Sequence, residues 1–450
     1  MRLLIVSHAF EPVYSACSVR WSAIAKALAQ GGHDVDVLTA WEPGLEREEY
    51  IGTLRVIRAG GELSTGLRAR ARIRWNVGSA ARGQDRAKTP LAGRILAALN
   101  AQVWRRIFWP DHAALWIFPA IAAARRLRRP YDAVISVALP FTDHLAALVA
   151  RRGWRGVAWI ADYGDPFSFL EDTPPNNLHL YRRLNRWIDT RVMRSADAIV
   201  MPNREMRDLY VTAGLATVDK IHVVPHIAAG ALATAPMPQV VSVPRRAVTF
   251  CFAGSFARGV RTPEYMFSLL PEIIGRLSHI GIQATMHIYG ALNDCSGALA
   301  MIAREIAAAR IVLHGTVPPH VAHQALVDSD ILVNVGNSTP HRQPSKLVEY
   351  MCSGKPILNF ATGARDSSLE MLEQYPSVLT LFEECREIES AAARAVQFSE
   401  KPPAVPRDLV ERLRVRHSAS AIAATYLDVV RSVTADEGAT SPSSPRLQPE

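Results

Sequence analysis

The chain has 450 residues, about three times the length of a typical domain, so the sequence predicts two domains and excludes a small disulfide-stapled protein. Hydrophobic residues make up 49% and charged residues 21%, a balance that excludes a disordered or fibrous chain. The formal net charge is +9, and where this charge lies along the chain is more informative than its size.

The sequence contains no candidate transmembrane helix or secretory signal. The longest apolar stretch, Ala113 to Ala124, has 12 residues and contains Pro119, whereas a spanning helix needs about 20. The first apolar run, Leu3 to Val6, is too short for the core of a signal peptide. We therefore expect a cytoplasmic protein whose five scattered cysteines are reduced and bind no metal.

The first half of the chain alternates strands and helices as an α/β domain does. An apolar run over 2–9, a helical pattern over 18–30 and an alternating strand over 34–39 predict a βαβ unit. Asp34 and Asp36 resemble a metal-binding pair, but alternation predicts that they lie on the solvent face of the strand. We expect an N-terminal Rossmann-like domain over 1–227. Its further predicted elements are strands at 133–137, 157–161 and 198–201 and a helix at 143–152.

A basic insertion, at about 66–110, interrupts this domain. Between residues 66 and 106 there are ten Lys or Arg and one acid, Asp85, a surplus equal to the charge of the whole chain. Aromatic residues such as Trp104 and Trp109 accompany them, a mixture that favours an anionic membrane surface. A nucleic-acid face or a solvated Arg-rich excursion has the same charge pattern, so both alternatives stay open. The basic residues are Arg68, Arg70, Arg72, Arg74, Arg82, Arg86, Lys88, Arg94, Arg105 and Arg106.

The second half begins after a linker predicted at 228–246. Thr262 and Pro263 are expected to cap and begin a helix that reaches about Leu277. We expect a second doubly wound domain over 247–433, with its last helix crossing back to the first domain, and a disordered tail over 434–450. The predicted strands are at 248–253, 285–289, 311–313, 331–335 and 356–360.

Two short segments of this second domain are suited to binding a nucleoside diphosphate. Ser345 and Lys346 lie where a helix is predicted to begin, so backbone N–H groups and a cation can hold phosphate there. Glu349, one turn later, can accept hydrogen bonds from a ribose diol. An ordinary amphipathic helix with a Lys and a Glu on its wet side is the alternative.

The other segment is the loop that follows the first strand of this domain. Gly254 and Ser255 begin the loop and permit close approach of the backbone to a ligand. Arg258 or Arg261 can neutralise a diphosphate, and the spacing does not distinguish between the two arginines. A solvated turn is the alternative.

Several segments resemble glycosyltransferase family 4 in order and spacing, over about residues 1–430. The resemblance implies a GT-B fold, in which two Rossmann-like doubly wound domains face a central cleft. It also implies a nucleoside-diphosphate sugar held by the C-terminal domain, an acceptor held by the N-terminal domain, retention at the anomeric carbon, and no metal or other cofactor. The segments are 31–39 (GGHDVDVLT), 159–166 (WIADYGDP), 196–200 (ADAIV), 252–255 (FAGS), 288–290 (IYG), 314–317 (HGTV), 330–333 (DILV) and 344–356 (PSKLVEYMCSGKP).

By matching position, the resemblance implies that Glu349 binds the donor ribose and that Ser345 and Lys346 lie near the diphosphate. The chain also departs from the family pattern. His341 stands where the family often has a glutamate that contacts the donor sugar, so we place His341 at the reacting centre. Tyr14 to Cys17 replaces the usual glycine pair after the first strand.

Three residues of the N-terminal domain are candidates for the acceptor side. Asp162 and Asp165 end a predicted strand whose carboxyl end points at the cleft. Asp165 is expected to orient the acceptor hydroxyl or accept its proton, and a turn carboxylate capping the next helix is the alternative. His144, near a predicted helix start, can also face the cleft, although a lone histidine is commonly structural.

The sequence therefore predicts a retaining, metal-independent glycosyltransferase with a lipid-linked or saccharide acceptor, acting in cell-envelope or exopolysaccharide synthesis. The basic insertion predicts attachment to the inner face of the plasma membrane, with no nucleic-acid partner. A GT-B sugar-nucleotide epimerase and a catalytically degenerate nucleotide-sugar-binding scaffold are the alternatives. A nicotinamide dehydrogenase is disfavoured because neither half has the Gly-x-Gly-x-x-Gly turn after its first strand.

Overall fold

The computed structural model describes residues 1–61, 108–127, 130–153, 156–237, 246–384 and 387–439. Within them the chain forms two α/β domains, each built on a mainly or wholly parallel sheet with helices packed against it. The predicted fold class is thereby confirmed. The basic segment 66–106 and residues 440–450 of the predicted tail lie outside the described residues.

The N-terminal domain contains an eight-stranded sheet with the order β3-β4-β2-β1-β5-β6-β7-β8. Every neighbouring pair is parallel except β3 with β4, which form an antiparallel edge. The strands are β1 Arg2–Val6, β2 Asp34–Ala40, β3 Glu48–Ile51, β4 Leu54–Ala59, β5 Ala133–Ala138, β6 Ala158–Tyr163, β7 Ala198–Met201 and β8 Ile221–Val223.

The C-terminal domain contains a six-stranded, wholly parallel sheet with the order β11-β10-β9-β12-β13-β14. The chain order reverses beside β9 and β12, and such a switch point is where open α/β sheets bind ligands. The strands are β9 Ala247–Ala253, β10 Gln283–Tyr289, β11 Ile311–Gly315, β12 Ile331–Val335, β13 Ile357–Ala361 and β14 Val378–Phe382.

The helices of the described residues lie between successive strands, except for the last three, which follow β14. The helix α13 packs against α10 of the C-terminal domain, and α14 packs against α1 of the N-terminal domain. The helices are α1 Ala16–Gln30, α2 Ile117–Arg126, α3 Thr142–Ala150, α4 Leu178–Ser195, α5 Arg204–Thr212, α6 Ala231–Thr234, α7 Glu264–His279, α8 Ala303–Ala307, α9 Pro319–Asp328, α10 Lys346–Ser353, α11 Ser368–Leu372, α12 Ile388–Glu400, α13 Arg407–Arg416 and α14 Ala419–Ala439.

Several element boundaries differ from the sequence predictions. The predicted linker contains α6, whose Leu232 is fully buried among residues of the C-terminal domain. The helix α7 begins at Glu264, one residue later than predicted, with Pro263 rather than Thr262 in the capping position. The helix α14 continues to Ala439, so residues 434–439 of the predicted tail are helical.

The prediction for Asp36 is wrong, because this side chain does not face solvent. It is fully buried, accepts a hydrogen bond of 2.5 Å from the Tyr131 hydroxyl, and lies 3.7 Å from an Nη atom of Arg55. The strand β2 lies between β4 and β1 in the interior of the sheet, so helices or loops cover both of its faces. Asp34, at the start of the strand, is partly exposed and pairs with Arg2 at 2.9 Å.

A buried polar cluster fastens the crossing helix α14 to the N-terminal domain. The Asp162 carboxylate, at the end of β6, accepts hydrogen bonds from the Tyr426 hydroxyl at 2.6 Å and from Trp21 Nε1 at 3.0 Å. Arg20 donates to the Tyr426 hydroxyl at 3.1 Å and to the Pro225 carbonyl at 3.2 Å. The cluster therefore joins α14, and the chain at Pro225 just before the linker, to one strand end.

Tyr426→Phe should lower the free energy of unfolding by about 1.5–3 kcal/mol, because it removes a hydrogen bond to a buried charged group. The phenylalanine ring can keep the edge contact with Trp21, where the ring centroids are 5.0 Å apart. Urea denaturation measures the change. Tyr50→Phe, at an exposed tyrosine that donates to Glu48, is the matched control and should change stability by less than about 0.5 kcal/mol. Equal midpoints for the two variants would contradict this role of the cluster.

Candidate donor and acceptor site

Loops that follow the carboxyl ends of strands in both domains meet at one cleft. Arg342, in the loop after β12, donates from Nε to Asp165 Oδ1 at 3.1 Å and from Nη1 to Thr173 Oγ1 at 2.8 Å. Asn203, after β7, donates from Nδ2 to the carbonyl of His341 at 3.3 Å. The loops of the two domains that carry candidate site residues are therefore in direct contact.

On the C-terminal side of the cleft, the short helix α10 presents the predicted phosphate and ribose residues. The helix begins at Lys346, with Ser345 at the capping position, and ends at Gly354, whose φ of 75° is the left-handed conformation that glycine adopts readily. The Ser345 side chain makes no capping hydrogen bond. Its hydroxyl therefore remains available to a ligand, whereas the backbone N–H groups of Leu347 and Val348 already donate to the carbonyls of Pro344 and Ser345.

Glu349 is the most informative side chain of this helix. It is 9% exposed, and its Oε2 atom is buried with no hydrogen-bond partner. The Nε2 atom of His323, in α9, lies 3.9 Å from that oxygen. Burial raises the pKa of Glu349 to about 7, while the positive charge of Lys346 acts in the opposite direction. A buried carboxylate oxygen without a partner is costly, which suits it to accept a hydrogen bond from a ligand.

Lys346 lies about one helical turn before Glu349, and its positive charge acts on the Glu349 carboxylate. Burial lowers the pKa of its ammonium group, and the Glu349 carboxylate opposes that shift. Cys251, at the end of β9, and Arg261 also lie close enough to influence it. The ammonium group is therefore held partly out of water near the buried carboxylate.

The glycine loop after β9 brings one of the two candidate arginines into the site. A Cβ atom on Gly254 would lie 3.1 Å from Nη1 of Arg261 and 3.0 Å from the Phe252 ring, so the guanidinium lies against the backbone at this point. Burial lowers the pKa of Arg261, and its Nε is buried without a hydrogen-bond partner. Ser255 follows in the same loop and is partly buried.

Arg258 is placed differently, although the sequence did not separate it from Arg261. It is exposed, its backbone N–H donates to Asp294 Oδ1 at 3.1 Å, and its Nη2 lies 3.5 Å from the carbonyl of Asp294. Burial and, to a smaller extent, the charge of Arg261 lower the pKa of Lys346, whereas the guanidinium of Arg258 is directed at the loop after β10. The geometry therefore favours Arg261 as the cation of the donor side.

On the N-terminal side, Asp165 lies in the cleft opposite the loop of His341. Its pairing with Arg342 was not predicted, since nothing in the sequence indicates which arginine reaches across 177 residues. Burial, followed by the charge of Arg342, lowers the pKa of His341, and Asp165 opposes this shift, so its ring is neutral near pH 7. Beside this pair lies a small cavity of about 70 Å³. The cavity is lined by Asp111, His112, Leu139, Pro140, Leu170, Thr173, Pro175 and Arg342.

The structure corrects the placement of two predicted acceptor-side residues. His144 is fully buried, with Nδ1 2.8 Å from Ser136 Oγ and its ring centroid 4.6 Å from that of Tyr163. Burial lowers the pKa of His144 to about 3, so it is a neutral core residue rather than a cleft residue. Asp162 is 3% exposed and belongs to the cluster that fastens α14. Neither side chain faces the cleft, because His144 points from α3 onto Ser136 and Tyr163, and α14 packs over Asp162.

Three residues of the site were missed from the sequence. Arg342 donates hydrogen bonds across the cleft to the N-terminal domain, and His323 lies beside Glu349. Gly336 follows β12 directly, and a Cβ atom there would lie 1.6 Å from an oxygen of Asp366, so the position has no room for a side chain. A glycine directly after a predicted strand is the local feature of the sequence that indicates such a close approach.

In the described residues, no group of three or more His, Cys, Asp or Glu side chains is arranged to hold a metal ion. None of the helices in these parts of the chain has the length and apolar character needed to cross a bilayer.

The pKa of Glu349 leads to a prediction for pH dependence. A carboxyl pKa raised from 4.5 to about 7 means that the folded protein holds this proton more tightly than the unfolded chain does. The resulting stability is full below about pH 4.5 and is lost as the pH rises through about 7. Glu349→Gln removes this titration, so the stability of the variant relative to the parent should rise over that window, by about 3 kcal/mol at most. Urea denaturation at several pH values tests it, and a difference that does not change with pH would contradict the assignment.

Comparison with known proteins gives the class. The fold matches solved structures over nearly the whole chain, among them sucrose-phosphate synthase from Thermosynechococcus elongatus, with 12% identity, coverage of 97% of this chain and 99% of that one, and a TM-score of 0.63. TarM from S. aureus, solved as a variant in complex with UDP, has 8% identity, coverage of 95% and 99%, and a TM-score of 0.57. WaaG, a glycosyltransferase involved in lipopolysaccharide biosynthesis, has 11% identity, coverage of 96% and 99%, and a TM-score of 0.56. These proteins share the GT-B architecture, which defines the class of this fold.

A family match covers the N-terminal domain of the chain. Residues 18–227 match the sequence model of Glycosyltransferase Family 4. Over these residues the predicted resemblance to glycosyltransferase family 4 is confirmed, and the chain as a whole has the GT-B fold. No curated protein has a significant sequence match to the chain.

Proposed function

We propose that the protein transfers a sugar, with retention at the anomeric carbon, from a nucleoside-diphosphate sugar to a lipid-linked or saccharide acceptor in cell-envelope or exopolysaccharide synthesis. The observation that carries the proposal is the buried, unpartnered Oε2 of Glu349, which lies one helical turn from Lys346. Arg261 in turn lies close enough to Lys346 to act on its charge. A ribose diol supplies the hydrogen-bond donors that this carboxylate lacks, and a diphosphate matches the two cations. The UDP in the TarM structure, and the ADP in that of Arabidopsis thaliana starch synthase IV, support this class of ligand.

In this proposal the residues divide the reaction between the two domains. Glu349 holds the ribose, and Lys346, Arg261 and the start of α10 stabilise the charge that develops on the departing diphosphate. Asp165 orients the acceptor hydroxyl, whose oxygen bonds to the anomeric carbon on the face that the diphosphate leaves. The bond from that carbon to the diphosphate breaks as the new bond forms, and the hydroxyl proton passes to the departing diphosphate oxygen. Asp165 is paired with Arg342 in this structure. It accepts the hydrogen bond from the acceptor hydroxyl either alongside Arg342 or in place of it. His341, neutral beside this pair, is placed to contact the donor sugar.

The leaving group is stabilised by side chains and the helix dipole, so we expect turnover without a divalent cation. Activity measured with the natural donor should be unchanged in excess EDTA, within about twofold. Loss of activity in EDTA that magnesium or manganese restores would contradict this part of the mechanism.

The same assay separates transfer from the alternative activities. Incubation with a nucleoside-diphosphate sugar alone should give slow hydrolysis to free sugar, and an acceptor should accelerate release of the diphosphate. An isomerised nucleotide sugar formed without acceptor would instead show an epimerase. Nucleotide binding without hydrolysis or transfer, over a panel of donors, would show a binding scaffold. The proposed site of action is the cytoplasmic face of the plasma membrane, where both a nucleotide sugar and a lipid-linked acceptor are accessible.

A further inference from the structure

The outward face of α4 carries a stripe of exposed apolar side chains. Leu180 is 61% exposed, Leu184 38% and Trp187 60%. Their spacing of four and three residues places them on one side of the helix, opposite the buried Asp189 and Met193. A contiguous apolar stripe on the surface of a soluble domain marks a surface that meets a partner.

The charge around this stripe is positive. Arg183, Arg191 and Arg194 are exposed on the same side of the helix as the stripe. The one acid of the helix, Asp189, is fully buried and accepts hydrogen bonds from the hydroxyls of Tyr163 and Tyr210. The outward face of α4 therefore presents cations and apolar side chains with no acid of its own.

The first described residues after the basic segment lie beside this helix. Trp109 donates from Nε1 to Asn185 Oδ1 of α4 at 2.9 Å, and Asn176, just before α4, donates to the carbonyl of Pro110 at 2.6 Å. Trp109 and Pro110, which follow the basic segment in the sequence, are thus fastened to α4 and to the residues just before it.

The start of α4 is also close to the acceptor side of the cleft. Thr173 and Pro175, which line the small cavity with Arg342, lie five to seven residues before Leu180. A surface that covers the outward face of α4 would therefore lie next to the place where an acceptor enters.

We propose that this α4 surface, formed by Leu180, Leu184 and Trp187 with Arg183, Arg191 and Arg194, docks on an anionic lipid bilayer and holds the acceptor side of the cleft at the membrane. The positive charge of the arginines favours an anionic bilayer over an uncharged apolar partner. Arginines bind anionic headgroups, and leucine and tryptophan side chains insert at the interface. This inference rests on the proposed function in one respect, that the acceptor is lipid-linked.

Vesicle sedimentation tests the surface directly. The full chain should bind vesicles of phosphatidylglycerol and phosphatidylcholine, with binding that increases with the anionic fraction and decreases with salt. The double variant Leu184→Ser with Trp187→Ser should bind at least about tenfold more weakly, because the inserted apolar side chains are lost. Val415→Ser, which removes a side chain 69% exposed on α13 of the other domain, is the matched control and should bind like the parent.

The outcomes separate this inference from the proposed function. Nucleotide affinity in solution should be the same in the parent and the double variant, since the donor residues lie in the C-terminal domain. Weak vesicle binding with unchanged nucleotide affinity supports the α4 surface. Equal sedimentation of variant and parent overturns it, and so does a parent that does not bind vesicles, or one that forms a dimer abolished by the double substitution. Vesicle binding that depends on α4 in a protein that binds no nucleotide would keep the surface and refute the proposed donor site.

Discussion

Glu349→Ala should weaken binding of the nucleoside diphosphate by about two to four orders of magnitude in the dissociation constant. Each hydrogen bond from a ribose hydroxyl to this carboxylate contributes about 1.5–3 kcal/mol, and the diol supplies two of them. The variant should fold normally, because the Oε2 atom of Glu349 has no protein partner to lose. Isothermal titration calorimetry with a nucleoside diphosphate measures the change.

Two further variants make this result specific. Glu349→Gln keeps the volume of the side chain but removes its charge, so it should retain part of the affinity and lose its pH dependence. Glu373→Ala, at an exposed glutamate just after α11 in the same domain, should bind like the parent. An unchanged dissociation constant in Glu349→Ala would remove this residue from the donor site.

Arg261→Met and Lys346→Met should each lower kcat by about two to three orders of magnitude. The charge on the departing diphosphate is larger in the transition state than in the bound donor, so the cations act mainly on turnover. Arg258→Met is the matched control, since this exposed arginine is directed at Asp294 and should retain nearly full activity. Steady-state kinetics with varied donor separates kcat from KM. A large loss in Arg258→Met together with normal turnover in Arg261→Met would reverse the assignment.

Much of the fold was predictable because parallel strands buried on both faces read as continuous apolar runs. The strands 198–201 and 331–335 were predicted with the observed bounds, since turn residues flank them closely. Helix starts were predicted less well. At α7, Thr262 has the better capping side chain, but the helix begins after Pro263. The packing around a helix start influences where the helix begins more strongly than the capping propensity of a single residue does.

The two sides of the candidate site differed in how far the sequence could predict them. Glu349 and Lys346 lie on one short helix, so their relative placement follows from helical geometry alone. Asp162 and Asp165 both end the same strand region, yet one is buried under α14 and the other reaches the cleft. That difference depends on Tyr426, 264 residues away from Asp162, and on Arg342 of the other domain, and neither contact leaves a local pattern in the sequence.

The measurement that tests the account most directly is a thermal-shift titration with nucleoside diphosphates and their sugars. A ligand that binds the folded protein alone, at about 100 times its dissociation constant, adds roughly 2.7 kcal/mol to stability. At least one nucleoside diphosphate should raise Tm in the parent and in Arg258→Met, and the shift should be absent from Glu349→Ala. The account would be contradicted if no nucleoside diphosphate shifts Tm in the parent, or if Glu349→Ala shows the full shift.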